Sequence, residues 1–191
     1  MNTQISSLRT HPELKTLFKE AEGRFLNEDE LDVYLSVAEN GESKAEASRE
    51  VKSIANQVIK KVLTRIFELY PYATQHNLAM GKCIRDMRYV LAYGTNCMLA
   101  EDPDWYRDKL LVWMKTIIQS FDFPDIAEGT TERYFNDPET VEHVLTLTQG
   151  QRSIYETYKG ILEEMRANLS EATFSEMEHY LNLSLEILSH D

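Results

Sequence analysis

A helical period runs through almost the whole of this chain, and it constrains the fold more than any other feature. Between Ser43 and Tyr70 the apolar residues Val51, Ile54, Ala55, Val58, Val62, Ile66 and Leu69 recur mainly at steps of three and four, which places them on one face of a helix. A sheet would need alternation in twos bounded by hairpin turns, and no segment supplies it. The fold class is therefore all-α.

The helix breakers divide this pattern. His11-Pro12-Glu13 opens a short helix with Leu14, Leu17, Phe18 and Ala21 on one side and Gly23 at its close. Asn27 caps the next, with Glu30 at the capping-box position and Leu31, Tyr34, Leu35 and Ala38 on one stripe, and Gly41 ends it. Tyr70-Pro71 stops the long helix. A further helix is expected from Thr74 to Ala100, with Ile84, Met87, Leu91, Gly94 and Met98 aligned. Another is expected from Asp104 to Phe121, and its apolar run Leu110-Leu111-Val112-Trp113 predicts a path through the interior. The stretch from Asp122 to Gly150 holds Pro124, Gly129, Pro138 and Gly150 and reads as an excursion, with a short helical candidate from Glu139 to Thr148. Terminal helices follow at Arg152–Asn168 and, capped by Ser170, at Glu171–Ser189, the latter turning Phe174, Met177, Leu181, Leu185 and Leu188 inward.

Composition narrows the function classes. The length of 191 residues suits one domain. Only 20 basic residues face 32 acidic ones, a net charge of -12, which disfavours nucleic acid because phosphate binding needs clustered cations. No apolar run approaches the roughly 20 residues needed to cross a bilayer, so a soluble, unexported, cytoplasmic protein is expected. With Cys83 and Cys97 as the sole cysteines, neither a disulfide framework nor a four-cysteine zinc site can form, in keeping with a reducing compartment. If both lie on one helix, their separation is about 21 Å of rise against the roughly 7 Å a disulfide allows, so they should be unbridged.

The most informative segment is Gly81-Lys82-Cys83-Ile84-Arg85-Asp86-Met87-Arg88-Tyr89. It sets a thiol and a carboxylate three residues apart on a helix, with cations beside them. Such a group suits a ligand with an electrophilic edge, basic nitrogens and carboxylate tails, a description a linear tetrapyrrole meets. The same residues also suit a small buried cysteine beside surface ion pairs. Local chemistry leaves both readings open. Elsewhere, Glu176 and His179 form half of a possible di-iron carboxylate motif whose other half is missing, since Thr140 and not Glu precedes His143 by three. Tyr89 and Tyr93 read first as core packing. No phosphate loop, nucleophile elbow or Ser-His-Asp grouping is present.

At this segment the chain resembles the phycobiliproteins, the globin-like antenna subunits of phycobilisomes. The resemblance rests on Glu22-Gly23-Arg24-Phe25-Leu26, Tyr70-Pro71-Tyr72-Ala73-Thr74-Gln75, Lys82-Cys83-Ile84-Arg85-Asp86 with Tyr89, Thr95, Asn96 and Cys97 after it, and Asp104-Trp105-Tyr106. It covers roughly Glu20 to Phe121. It implies one globin-like domain over residues 1–191, with residues 1–26 as an N-terminal helical extension and 122–150 as an insertion. It further implies a bilin joined to Cys83 by a thioether, Asp86 on the pyrrole nitrogens, and Lys82 and Arg85 near the propionates, in a pocket built by the Gln75 to Ala100 helix and its successor. Tyr89 belongs to the same motif.

The chain departs from the family in ways that point to an accessory relative. The loop from Gln75 to Lys82 is shorter than in antenna subunits and contains His76, seven positions before Cys83. The insertion has no counterpart in the common subunits. Some such relatives serve bilin biosynthesis and hold haem, for which His76 is the metal-ligating candidate, with Met80 or Cys83 as alternatives. The expected function is tetrapyrrole binding, haem or bilin, without turnover, in phycobilisome assembly or bilin metabolism. The partners expected are phycobilisome or bilin-metabolism proteins, in a homodimer or hetero-oligomer. A light-harvesting subunit with bilin on Cys83 and a pigment-free scaffold remain alternatives. The 122–150 insertion is expected to be peripheral and dispensable for pigment binding.

Overall fold

The computed structural model describes residues 8–69, 77–119 and 149–189. His76, the Tyr70-Pro71 break, Phe121, His143 and all of the 122–150 insertion except its last two residues lie outside them. The described residues form helices and no strand. After a 3-10 turn at Leu8–Thr10 come α1 (Pro12–Glu20), α2 (Glu28–Val37), α3 (Glu42–Leu69), α4 (Asn77–Ala100), α5 (Pro103–Tyr106), a π-turn at Arg107–Leu111, α6 (Val112–Gln119), α7 (Gln149–Asn168) and α8 (Glu171–Ser189).

Local signals account for most of the ends. Pro12 opens α1, and His11 caps it by accepting the Glu13 N–H. Asn27 and Glu30 form the reciprocal capping box of α2. Ser170 accepts the Thr173 N–H at the start of α8. A carboxylate from another helix reinforces that cap: Glu50 of α3 takes the Ser170 N–H (2.6 Å), the Ser170 hydroxyl (2.7 Å) and the Thr173 hydroxyl. Asp102 caps α5 through the Trp105 N–H (2.9 Å) and also binds Arg9, whose guanidinium lies over the Trp105 ring.

One cluster of buried side chains draws on α1 to α8. α3 packs against α4, α7 and α8. Tyrosines tie these helices together: the Tyr106 hydroxyl sits between the Val90 carbonyl (3.1 Å) and the Ser184 hydroxyl (2.6 Å), and Tyr180 donates to the Cys97 carbonyl (3.0 Å). The α1–α2 turn docks on one face of α4. Asn96 donates to the carbonyls of Ala21 (3.2 Å) and Arg24 (2.9 Å), Tyr93 donates to Glu22, and the Tyr89 ring lies against Gly23. Tyr93 is thus buried structure.

Two expectations change. The Asp104 to Phe121 helix does not run whole through the interior, because Val112 and Trp113 are 50% and 51% exposed. Four consecutive apolar residues span more than one helix face at about 100° per residue, and the face that turns inward carries Leu110, Leu111 and Met114. The π-turn interrupts its regular ladder. Gly150 does not end the excursion but lies inside the first turn of α7.

Candidate functional site

α4 carries the segment singled out by the sequence. Within it, Cys83 and Asp86 lie about 60° apart around the helix, on the same side as buried Met87 and Val90. Cys83 is half-buried and packs on the core. Asp86 is also half-buried and pairs with its neighbour Arg85 at 2.7 Å. Both Arg85 contacts reach Oδ1, so Oδ2 takes no hydrogen bond among the described residues. Lys82 and Arg85 fall on the outer side of the helix and are exposed. Tyr89 lies about 240° around from Cys83 and faces the α1–α2 turn, so it stands away from the pair it was grouped with.

Across from Cys83 and Asp86 stands a residue that sequence reasoning did not single out. Tyr158 of α7 is buried, and its hydroxyl donates to the Met114 sulfur of α6 at 3.4 Å. Burial first, then the charges of nearby Tyr106, Asp86 and Cys83, hold the Tyr158 phenol well above its ordinary range. The spacing of Tyr155 and Tyr158 on one face of α7 was the available signal, but nothing local paired it with α4.

The thiol is electrostatically restrained. Burial pushes the Cys83 pKa up, and the negative charge of Asp86 pushes it further. Cys83 is therefore held as the thiol at neutral pH, and its reaction with an electrophile requires loss of that proton. Cys97 is buried more deeply, and burial raises its pKa as well. Both cysteines are free, as their spacing required.

The expected pocket between α4 and its successor is not the concavity the structure displays beside this motif. A groove of about 330 Å³ opens on the opposite flank of α4, between Ile84 and Arg88 and the α3 residues Ile59, Lys60, Leu63 and Phe67. A second depression of about 440 Å³ lies between the end of α7 and the start of α8, where Arg166 stacks on Phe174 and pairs with Glu178 at 2.6 Å. It is remote from the α4 motif. Among the described residues no group of three or more His, Cys, Asp or Glu is placed to hold a metal, and His179, the imidazole of the Glu-x-x-His motif, is exposed beside Tyr180. No described helix is long and apolar enough to cross a membrane.

Comparison with known proteins places this site in context. A family model described as "Phycobilisome protein" matches residues 18–130. The chain is 25% identical over 111 residues to the C-phycocyanin beta subunit of a Nostoc strain, an alignment covering 55% of this chain and 64% of that one. It is 26% identical over 111 residues to the C-phycocyanin beta chain of Porphyra purpurea, again covering 55% and 64%. It is 27% identical over 111 residues to the allophycocyanin beta chain of Cyanidium caldarium, covering 55% of this chain and 68% of that one. The match thus spans less than two thirds of the phycocyanin chains, and it includes α4 with Cys83 and Asp86.

Proposed function

The chain belongs to the phycobilisome protein family, and from that premise we propose that it holds a linear bilin on α4 through Cys83 and acts as a non-catalytic accessory protein of phycobilisome assembly or bilin supply. The observation that carries this reading is the shared half-buried face of Cys83 and Asp86, with an unused carboxylate oxygen beside a thiol. Kinship with phycocyanin and allophycocyanin beta chains favours a bilin over haem, the other reading of His76.

A bilin supplies a conjugated system that absorbs visible light. Cys83 Sγ would anchor it, and Asp86 Oδ2 would accept its pyrrole N–H groups and favour their protonated form. Arg85 and Lys82, on the outer side of α4, would face the carboxylate tails. Tyr158 and Met114 would offer a dry wall behind the anchor. Because burial and Asp86 keep the proton on Cys83, attachment calls for a base or an assisting protein, in keeping with partners among bilin-metabolism or phycobilisome proteins.

The test is co-expression with a bilin supply, followed by denaturing electrophoresis and visible spectroscopy. Colour that migrates with the denatured chain and vanishes in Cys83→Ala is expected, while His76→Ala alters colour alone. Full pigment and unchanged spectra in both variants would overturn the assignment, and a wild-type chain that stays colourless would favour the pigment-free scaffold. An antenna subunit, the reading closest to the named relatives, would carry one pigment per chain and enter assembled phycobilisomes in fixed proportion.

A further inference from the structure

The groove on the far flank of α4 has its own chemistry. Its floor is apolar, made by Ile59, Leu63 and Phe67 of α3 and Ile84 of α4, and its rim carries Lys60 and Arg88. No carboxylate lines it. Arg88 is oriented by the Asn56 side-chain oxygen at 2.7 Å. Neither Lys60 nor Arg88 forms an ion pair among the described residues, whereas Lys61 and Arg65 on the same helix hold Glu164 and Glu163 of α7 at 2.8 and 3.2 Å. In a chain of net charge -12, two cations beside an apolar floor and without an acidic partner are complementary to an anion from outside.

Gly81 supplies a second observation. It shares a stripe with Ile84 and Arg88, three and seven residues on. A Cβ at Gly81 would meet nothing within 4 Å. Glycine weakens a helix relative to alanine, and no packing among the described residues requires it here. Its effect is to leave the end of the groove open.

We propose that this groove binds a small amphipathic carboxylate, its apolar body on Ile59, Leu63, Phe67 and Ile84 and its carboxylate between Lys60 and Arg88. The volume of about 330 Å³ lies at the small end of ligand pockets, roughly 300–1,000 Å³. The site is separate from the one on Cys83. Ile84 and Arg88 lie about 100° and 140° around α4 from that thiol, with buried Met87 between. It stands whether or not a pigment is attached.

The full-length, pigment-free chain would be titrated with 8-anilinonaphthalene-1-sulfonate, an amphipathic anion whose fluorescence rises on binding, and then with dodecanoate as competitor. Saturable binding displaced by dodecanoate is expected. Lys60→Glu with Arg88→Glu should weaken it by about tenfold or more, Gly81→Leu should weaken it while helical circular dichroism is retained, and Cys83→Ala should leave it unchanged. If the double charge reversal does not fold, Lys60→Gln and Arg88→Gln singly carry the same test. Binding indifferent to the rim charges and to Gly81→Leu would overturn the proposal. So would displacement by an acidic amphipathic peptide but not by dodecanoate, which would make the groove a protein interface.

Discussion

Replacing Gly23 by alanine should destabilise the fold through two separable effects. Gly23 has φ +80°, a left-handed conformation that costs an L-residue about 1–2 kcal/mol. The new Cβ would also lie 2.9 Å from Tyr89 Cε1 and 3.2 Å from Cδ1, and crowding of this kind typically costs about 1–3 kcal/mol. Alanine restricts the unfolded chain and returns about 0.4–1 kcal/mol. The net loss is then about 2–3 kcal/mol, which for a chain of this size lowers the melting temperature by roughly 5–10 °C. Urea unfolding of wild type, Gly23→Ala, Tyr89→Ala and the double variant would measure it. Removing the ring relieves the contact and leaves the backbone strain, so the cycle should show a coupling of about 1–2 kcal/mol. A loss below about 0.5 kcal/mol, or additive single effects, would refute the account of how this turn seats on α4.

Thiol titration of the denatured, unreduced chain should find both cysteines free. In the native protein at neutral pH, iodoacetamide should modify Cys83 slowly and Cys97 only on unfolding, and Asp86→Asn should accelerate Cys83 because it removes the charge that helps hold the proton on; equal rates with and without Asp86 would count against that field. For Glu50, burial raises the carboxyl pKa, but hydrogen bonds from the Thr173 hydroxyl and from the Ser170 N–H and hydroxyl outweigh it and bring the value below 4.5. A folded value below the unfolded one means that this stabilisation is present above pH 4.5 and is lost as pH falls through the folded value. Glu50→Gln should therefore cost about 1–2 kcal/mol at neutral pH and show a weaker acid dependence of urea stability below that point, and an unchanged acid limb would sink the reading.

Features written into neighbouring residues were legible in the sequence. The Asn27–Glu30 box, the Ser170 cap and the α3 stripe each follow from residues within a turn or two of one another. What escaped depends on distant partners. Glu50 reaches Ser170 across 120 positions, and nothing around either residue announces the other. Tyr158 faces the α4 motif only because α7 packs beside it, and Tyr89 leaves that motif because Gly23 claims its ring. The run Leu110-Leu111-Val112-Trp113 is apolar throughout, so hydropathy could not say which half would be wet. Gly150 was read as a terminator because glycine closes many helices, yet a single glycine is tolerated within a first turn. In the site, Cys83, Asp86, Lys82 and Arg85 were found from their spacing, whereas the wall behind them and the groove on the opposite flank needed the packing of three further helices.

The slipped turn at Arg107–Leu111 makes this part of the chain far less tolerant of lost residues than of exchanged ones. The Val112 N–H bonds to the Arg107 carbonyl five residues back, so the turn holds one residue more than an α-helical turn would. Deleting any one residue there would let the ladder close as ordinary α-helix and swing all of α6 by about 100°. Met114 would leave the Tyr158 hydroxyl, and the exposed Val112–Trp113 edge would rotate into a different neighbourhood. A substitution at Lys109, exposed in the middle of the same turn, moves none of this. The phase of α6 against the α4 motif is thus stored as a count of residues rather than in their identities, and descent within such a lineage would show there as conserved length beneath drifting sequence.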